Sequence, residues 1–263
     1  MPALFSGKEV NSLNRVDVTR MAVVAGAVAL VELLCRTHVV SRLTLIPPSE
    51  MAVSLVQVVA KPAIQRDLLF TLVNTAVAIA IAVVLGFALG AMLHALPRLR
   101  RVVDPLLAAY YAVPTFVFYP LLVALLGLNR LPLIAIGTML GVVAMTVNTI
   151  VGLDRVPRVY QKTAATYRMS PLATALLVQL PAATPYLATG IKLAVSYSIV
   201  GTIAGEFILS VAGLGRAMAL AYNNLDNRAM YGLLLLLLLA VTVVNVSIYE
   251  WERAVHRRWG LVR

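Results

Sequence analysis

The stretch from Leu68 to Leu96 contains no Asp, Glu, Lys or Arg. About 20 apolar residues cross the hydrocarbon core of a bilayer as a helix. In lipid the backbone must satisfy its own N–H and C=O groups, so such a run reads as a membrane helix. Further apolar runs start near Met21, Asp104, Leu131, Pro185 and Met230. The first, Met21 to Leu34 and ending near Cys35, resembles a signal sequence in length. No small-residue cleavage site follows it and Glu32 interrupts it, so it reads as a retained span. The expectation is an all-α integral membrane protein with six transmembrane helices. The chain is 61% hydrophobic and 13% charged, with a mean hydropathy of +0.90, whereas a soluble domain is nearer a quarter charged. Its 263 residues are expected to form a single transmembrane domain.

The net charge is +11. A soluble protein so basic would read as a nucleic-acid binder. In a chain this apolar the lipid surface is the simpler partner, and no nucleic acid is expected. Six spans put both termini on one side. With that side cytoplasmic, fourteen Lys and Arg residues fall inside, including Arg98, Arg100, Arg101, Arg155, Arg158, Lys162 and Arg168. Seven fall outside, including Arg36, Lys61, Arg66 and Arg130, and Lys192 stays within a span. The two-to-one bias follows the positive-inside rule. It puts both termini, and the polar segment from about 154 to 181 between spans four and five, in the cytoplasm.

That segment reads as two short helices joined by a corner and lying across the membrane face. Asp154 can cap the first, with Pro157 in its opening turn. Val156, Val159, Tyr160, Thr163 and Tyr167 form a narrow apolar stripe at helical spacing, with Arg155, Arg158 and Lys162 beside it. Ser170, preceding Pro171, is biased away from helical geometry and can cap the second helix. Leu180-Pro181 is expected to interrupt that helix. An element of this kind suits a groove on another protein.

The segment resembles the cytoplasmic loop of the integral-membrane subunits of bacterial ABC importers. Their pattern is E-A-A, three residues, G, nine residues, I, one residue, L-P. Lys162-Thr163-Ala164 fall at E-A-A, Arg168 at G, Val178 at I and Leu180-Pro181 at L-P. Lys replaces Glu and Arg replaces Gly, and a corner with positive φ costs a residue with a Cβ more than it costs Gly. The resemblance implies that Val159, Lys162, Thr163, Ala164, Tyr167, Arg168, Leu180 and Pro181 couple the chain to an ATPase. Val159, Thr163, Ala164 and Tyr167 are the face expected to enter the ATPase groove.

Other stretches resemble the branch of that family for nitrate, sulfonates and taurine. One is the proline-rich element Pro47-Pro48-Ser49, read as an extended stop before a capped segment running from Ser49 to about Val59. Another follows the basic turn Pro97 to Arg101: Asp104-Pro105 opens a third span that Pro114 and Pro120 break at about Phe118. Broken helices at membrane depth line a cavity or pack on protein. Tyr110, Tyr111 and Thr115, with Ser196, Tyr197 and Ser198 opposite, are expected to line a substrate path; tyrosines packing at the interface are the competing explanation. Gly190-Ile191-Lys192, Ala204-Gly205-Glu206 and Gly213-Leu214-Gly215 complete the resemblance. Lys192 and Glu206 are ionisable residues at membrane depth, which are functional candidates by default. They stand about 21 Å apart along a helix and cannot pair, and Lys192 is expected to snorkel. Gly86/Gly90, Gly137/Gly141 and Gly201/Gly205 let helices approach closely in a compact bundle.

No GxxxxGK[ST], HExxH or GxSxG motif is present. His38, His94 and His256 make no ligand cluster. No catalytic residue, metal site or cofactor is expected in this chain. The resemblance implies a permease subunit of the bacterial inner membrane. Two such subunits, identical or mixed, would enclose the path, and two ATPase subunits would carry ATP and Mg. An extracytoplasmic binding protein would deliver a small solute of the sulfonate, nitrate, taurine or pyrimidine-precursor kind. Two other classes are a membrane scaffold without transport and a secondary transporter, the latter disfavoured because no internal hydropathy repeat is found.

Overall fold

A computed structural model describes residues 7–37, 39–41, 44–110 and 112–258. Among them every regular element is helical. The chain runs α1 (Gly7–Arg36), α2 (Pro48–Val59), α3 (Pro62–Ala95) and α4 (Pro97–Tyr110). A 3₁₀ turn (Thr115–Phe118) leads into α5 (Tyr119–Leu126), followed by α6 (Leu131–Asp154) and α7 (Arg158–Thr166). Then α8 (Pro171–Thr174) continues through a π-turn (Ala175–Gln179) into α9 (Leu180–Leu209), and α10 (Leu214–Asn223) and α11 (Asn227–Arg258) follow. Among the described residues four helices are long and apolar enough to cross a membrane: Pro62–Ala95, Leu131–Asp154, Pro171–Ile208 and Asn227–Arg257. The pair α4 and Thr115–Leu126, bent by 94°, is a further broken span or re-entrant loop.

Proline sets many of the helix starts. α2, α3, α5, α6, α8 and α9 each carry one at the first or second position, where its fixed φ fits and its missing N–H breaks no bond. Several boundaries differ from the sequence expectation for the same reason. Pro97 opens α4, so the basic stretch to Arg101 is helical, and Pro105 lies inside that helix. The break falls before Pro114, not at Phe118, because the residue before a proline is pushed toward extended geometry. Pro47 occupies the cap position of α2 in place of Ser49. Asp154 closes α6, and Pro157 stands at the cap of α7. Leu180-Pro181 does not end the second loop helix. The widened π-turn just before Pro181 absorbs the lost hydrogen bond, and the helix continues into the next span.

The chain divides into two compact units. One contains α1, α2 and residues Leu220–Leu236. There Glu32 does more than interrupt an apolar run. Ser49 donates its N–H (3.0 Å) and hydroxyl (2.7 Å) to the Glu32 carboxylate, and Arg36 Nε donates at 2.7 Å. The carboxylate thus sits at the α2 N-terminus, where the helix dipole favours negative charge. Ser54 donates to the Arg228 carbonyl at 2.5 Å, and Tyr231 to that of Thr44 at 2.6 Å.

The other unit contains Lys61–Ala219 and α11 from Leu237. Its centre is α3, α6 and α9. A Cβ on Gly86 would fall 2.6 Å from Met145 Cβ, and one on Gly90 would fall 2.5 Å from Thr149 Cβ, so α3 and α6 run parallel. Gly137 faces Thr202, Gly141 faces Ser198, and Gly190 faces Asn148, so α9 runs antiparallel to α6. A Cβ on Gly201 would fall 2.9 Å from Gly137 Cα. The three glycine pairs therefore serve the two seams that α6 makes, one with α3 and one with α9. Close backbone approach substitutes there for the hydrophobic effect, which does not draw helices together within lipid.

Candidate functional site

The polar segment emerges from the end of α6. Leu153, Val156 and Ala183 form a small core with Leu180 packed against it. The Val156 N–H bonds the Leu153 carbonyl at 3.3 Å, which turns the chain into α7. On α7, Val159 is 67% exposed and Tyr167, just beyond it, 77%. Tyr160, Lys162 and Thr163 are also exposed. Ala164 is 2% exposed, the buried residue of this helix. It therefore does not share the exposed face expected to enter a partner groove; it is the contact by which α7 rests on its own chain. The corner closes with Met169 N–H on the Ala164 carbonyl and Arg168 N–H on that of Ala165, both 3.0 Å. Arg168 sits at φ +50. That is the left-handed helix terminus the family pattern fills with glycine, here held by a residue that carries a Cβ. Ser170 Oγ accepts the Ala173 N–H at 3.2 Å and caps α8.

The expected path residues are distributed over several environments. The Tyr110 hydroxyl donates to the Met139 carbonyl at 2.9 Å. Thr115 is buried, and Tyr111 lies outside the described residues. On α9, successive side chains diverge by about 100°. Ser196 donates to Asn245 Oδ1 at 3.1 Å, while Tyr197 is exposed. Ser198 is fully buried beside Gly141, with no hydrogen-bond partner for its hydroxyl among the described residues.

Lys192 does not snorkel away. Its Nζ lies 2.6 Å from Glu252 Oε2, and Thr189 donates to Glu252 Oε1 at 2.9 Å. With Ser196 and Asn245 these residues form a polar ladder between α9 and α11. The sixth apolar run closes near Tyr249 in the sequence, which leaves Glu252 outside it, but the helix continues to Arg258. A carboxylate placed to meet an intramembrane lysine is the signal that points to it.

Glu206 is fully buried. Thr71 Oγ1 donates to its Oε2 at 2.7 Å, and the Gly215 N–H at 3.1 Å. The Leu214 N–H in turn bonds Thr71 Oγ1 at 2.9 Å, and the Gly213 N–H bonds Asp67 Oδ1 at 2.9 Å. Gly213 adopts φ +109, and a Cβ there would collide with the Glu206 carboxylate. The Gly213-Leu214-Gly215 turn therefore wraps the carboxylate with backbone at the start of α10.

The chain is similar to known proteins over part of its length. It is 33% identical over 150 residues to a probable ABC transporter permease of Haemophilus influenzae, covering 57% of this chain and 61% of the relative. It is 28% identical over 127 residues to the nitrate import permease NrtB of Leptolyngbya laminosa, covering 48% and 46%. It is 31% identical over 120 residues to the formylaminopyrimidine transport permease ThiX of Halalkalibacterium halodurans, covering 45% and 47%. The chain thus spans about half the length of the curated relatives it matches. The fold is similar to a chain of the inward-facing MetNI methionine ABC transporter, with a TM-score of 0.64 at 19% identity over 72% of this chain and 94% of that one. Residues 82–260 match the family described as the binding-protein-dependent transport system inner membrane component, and the chain belongs to that family.

Proposed function

We propose that this chain is the membrane-spanning permease subunit of an ATP-driven importer. Its α7 docks on a separate ATPase, and α3, α6, α9 and the bent α4–α5 segment border the solute path. The observation that supports this best is the exposure of α7. Val159, Tyr160 and Tyr167 are held out to solvent while Ala164 is the residue by which the helix is buried against its own chain. Contiguous exposed apolar side chains at the end of a span mark a partner surface. The crossing count supports six spans. Because α3 and α6 run parallel, the chain between them must return along the bundle, and α4 with α5 is the only stretch available. Counting that pair as one crossing and α1 as another, beside the four long apolar helices, gives six. The charge bias supports both termini lying on the cytoplasmic side with α7.

On this proposal the whole chain acts as one permease domain in the inner membrane. ATP and Mg belong to the partner, and no chemical step occurs in this chain. A second permease subunit, identical or not, completes the path, and an extracytoplasmic binding protein delivers the solute. The relatives named for nitrate and formylaminopyrimidine favour a small solute of the nitrate, sulfonate, taurine or pyrimidine-precursor kind. The test is co-purification of the ATPase with this chain, followed by binding-protein-dependent uptake in proteoliposomes. Uptake driven by an ion gradient without the ATPase would assign the chain to secondary transport. Assembly without uptake of any solute bound by the binding protein would leave a scaffold.

A further inference from the structure

We infer that Asp154 is the positioning residue through which displacement of α7 reaches α3 and α4; this rests on the docking role proposed for α7. Asp154 is the last residue of α6, just before the turn into α7. Its two carboxylate oxygens are divided between two other helices. Oδ1 lies 2.9 Å from His94 Nδ1 at the end of α3, and Oδ2 lies 2.7 Å from Arg100 NH1 on α4. Arg100 also reaches Asp104 at 3.4 Å. On the other side of the turn, Arg155 stacks over the Tyr186 ring of α9 at 5.6 Å.

The link to α4 is polar rather than packed. α4 buries none of its residues, and a cleft of about 340 Å³, lined by Arg100, Asp104, Leu107, Val147 and Ile150, separates it from α6. Side-chain packing therefore cannot carry motion from α6 to α4 at this end; the Arg100–Asp154 pair can. Meanwhile Val156 in the turn is buried against Leu153 and Ala183. A push on α7 is then delivered to α6 and, through one carboxylate, to the end of α3 and to α4, the first half of the bent segment.

The test uses the assembled transporter in proteoliposomes and compares basal with binding-protein-stimulated ATP hydrolysis. In Asp154→Asn the side chain keeps its size and loses its charge. Co-purification of the ATPase and basal hydrolysis should stay at the level of the unaltered protein. Stimulation should fall about fivefold, the lower end of usual coupling between sites, and Asp154→Glu should restore most of it. Arg100→Gln should reproduce the loss, and the double variant should add little, as expected for residues acting through one contact. Normal stimulation in Asp154→Asn overturns the inference. So does a parallel fall of basal hydrolysis and assembly, which marks a merely structural role. If Asp154→Asn fails to assemble, Arg100→Gln decides by the same criteria. Absence of ATPase co-purification in the unaltered protein sinks the docking proposal first, and this inference with it.

Discussion

Two carboxylates secure opposite ends of the α3–α6–α9 body, and they are held in different ways. Glu206 bonds Thr71 near one end of α3, whereas Asp154 meets His94 near the other, about 34 Å away at helical rise. Glu206 is fully buried, and its partners are a hydroxyl and a backbone amide that cannot move without the helices they belong to. The Asp154 side chain is 36% exposed, and its partners are the side chains of a histidine and an arginine on two other helices. A carboxylate held by backbone in the dark of a protein fixes geometry. One shared by an arginine and a histidine on two other helices, at a partly exposed site, ties those helices to α6 while adding little to stability. The difference identifies the Glu206 end as a static clamp and the Asp154 end as the place where movement enters.

The largest effect should come from removing the clamp. Glu206→Ala leaves the Thr71 hydroxyl and the Gly215 N–H without their acceptor in a buried site. Each such orphan costs about 1–3 kcal/mol. Thermal unfolding in detergent should show a loss of about 3 kcal/mol, and a change smaller than that of an ordinary surface substitution would remove the clamp from the argument. Gly213→Ala should follow at about 2 kcal/mol, because φ +109 strains any residue with a Cβ and the added methyl meets the carboxylate. Asp154→Asn should cost less than either in stability. At this exposure the Arg100–Asp154 ion pair is screened, so the loss should be about 0.5 kcal/mol and shrink further in high salt. Equal destabilisation by Glu206→Ala and Asp154→Asn would erase the distinction between the two ends.

Much of this was readable in the residues, and what was not has a common cause. Apolar run lengths locate α3, α6, α9 and α11 because the bilayer imposes them. The Gly pairs foretell close approach, and the departure at Arg168 falls where the chain does adopt positive φ. Facing is what the sequence leaves open. Lys192 looks like a cation seeking the surface until the antiparallel α11 presents Glu252. Asp154 looks like a cap until α3 and α4 are seen to end beside it. Ala164 lies on a stripe at helical spacing, but a nine-residue helix has two edges to that stripe, and only packing against its own chain decides which one is buried. Pro181 looks like a stop because a π-turn has no sequence signature strong enough to announce itself.

The smallest effect on stability, and the sharpest on function, is expected on the exposed side of α7. Tyr167 and Val159 contribute little to the fold, being 77% and 67% exposed. Tyr167→Ser and Val159→Ser should therefore leave the unfolding temperature unchanged, as surface substitutions usually do. If these side chains fill a groove on the ATPase, their truncation removes apolar contact that only the complex makes. Interface aromatics commonly contribute at least about 2 kcal/mol, or roughly thirtyfold in affinity. Co-purification of the ATPase should drop accordingly, while this chain still inserts and stays monodisperse. Ala164→Glu should behave in the opposite way. A carboxylate forced into a site that is 2% exposed damages the packing of α7 first, so its thermal stability should fall before any docking defect can be ascribed to it. Lys162 lies beside the exposed face, and Lys162→Glu should weaken docking more at low ionic strength if an acidic rim meets it. If Tyr167→Ser retains full co-purification at unchanged stability, the exposed stripe is not the docking surface, and movement entering at Asp154 would need another source.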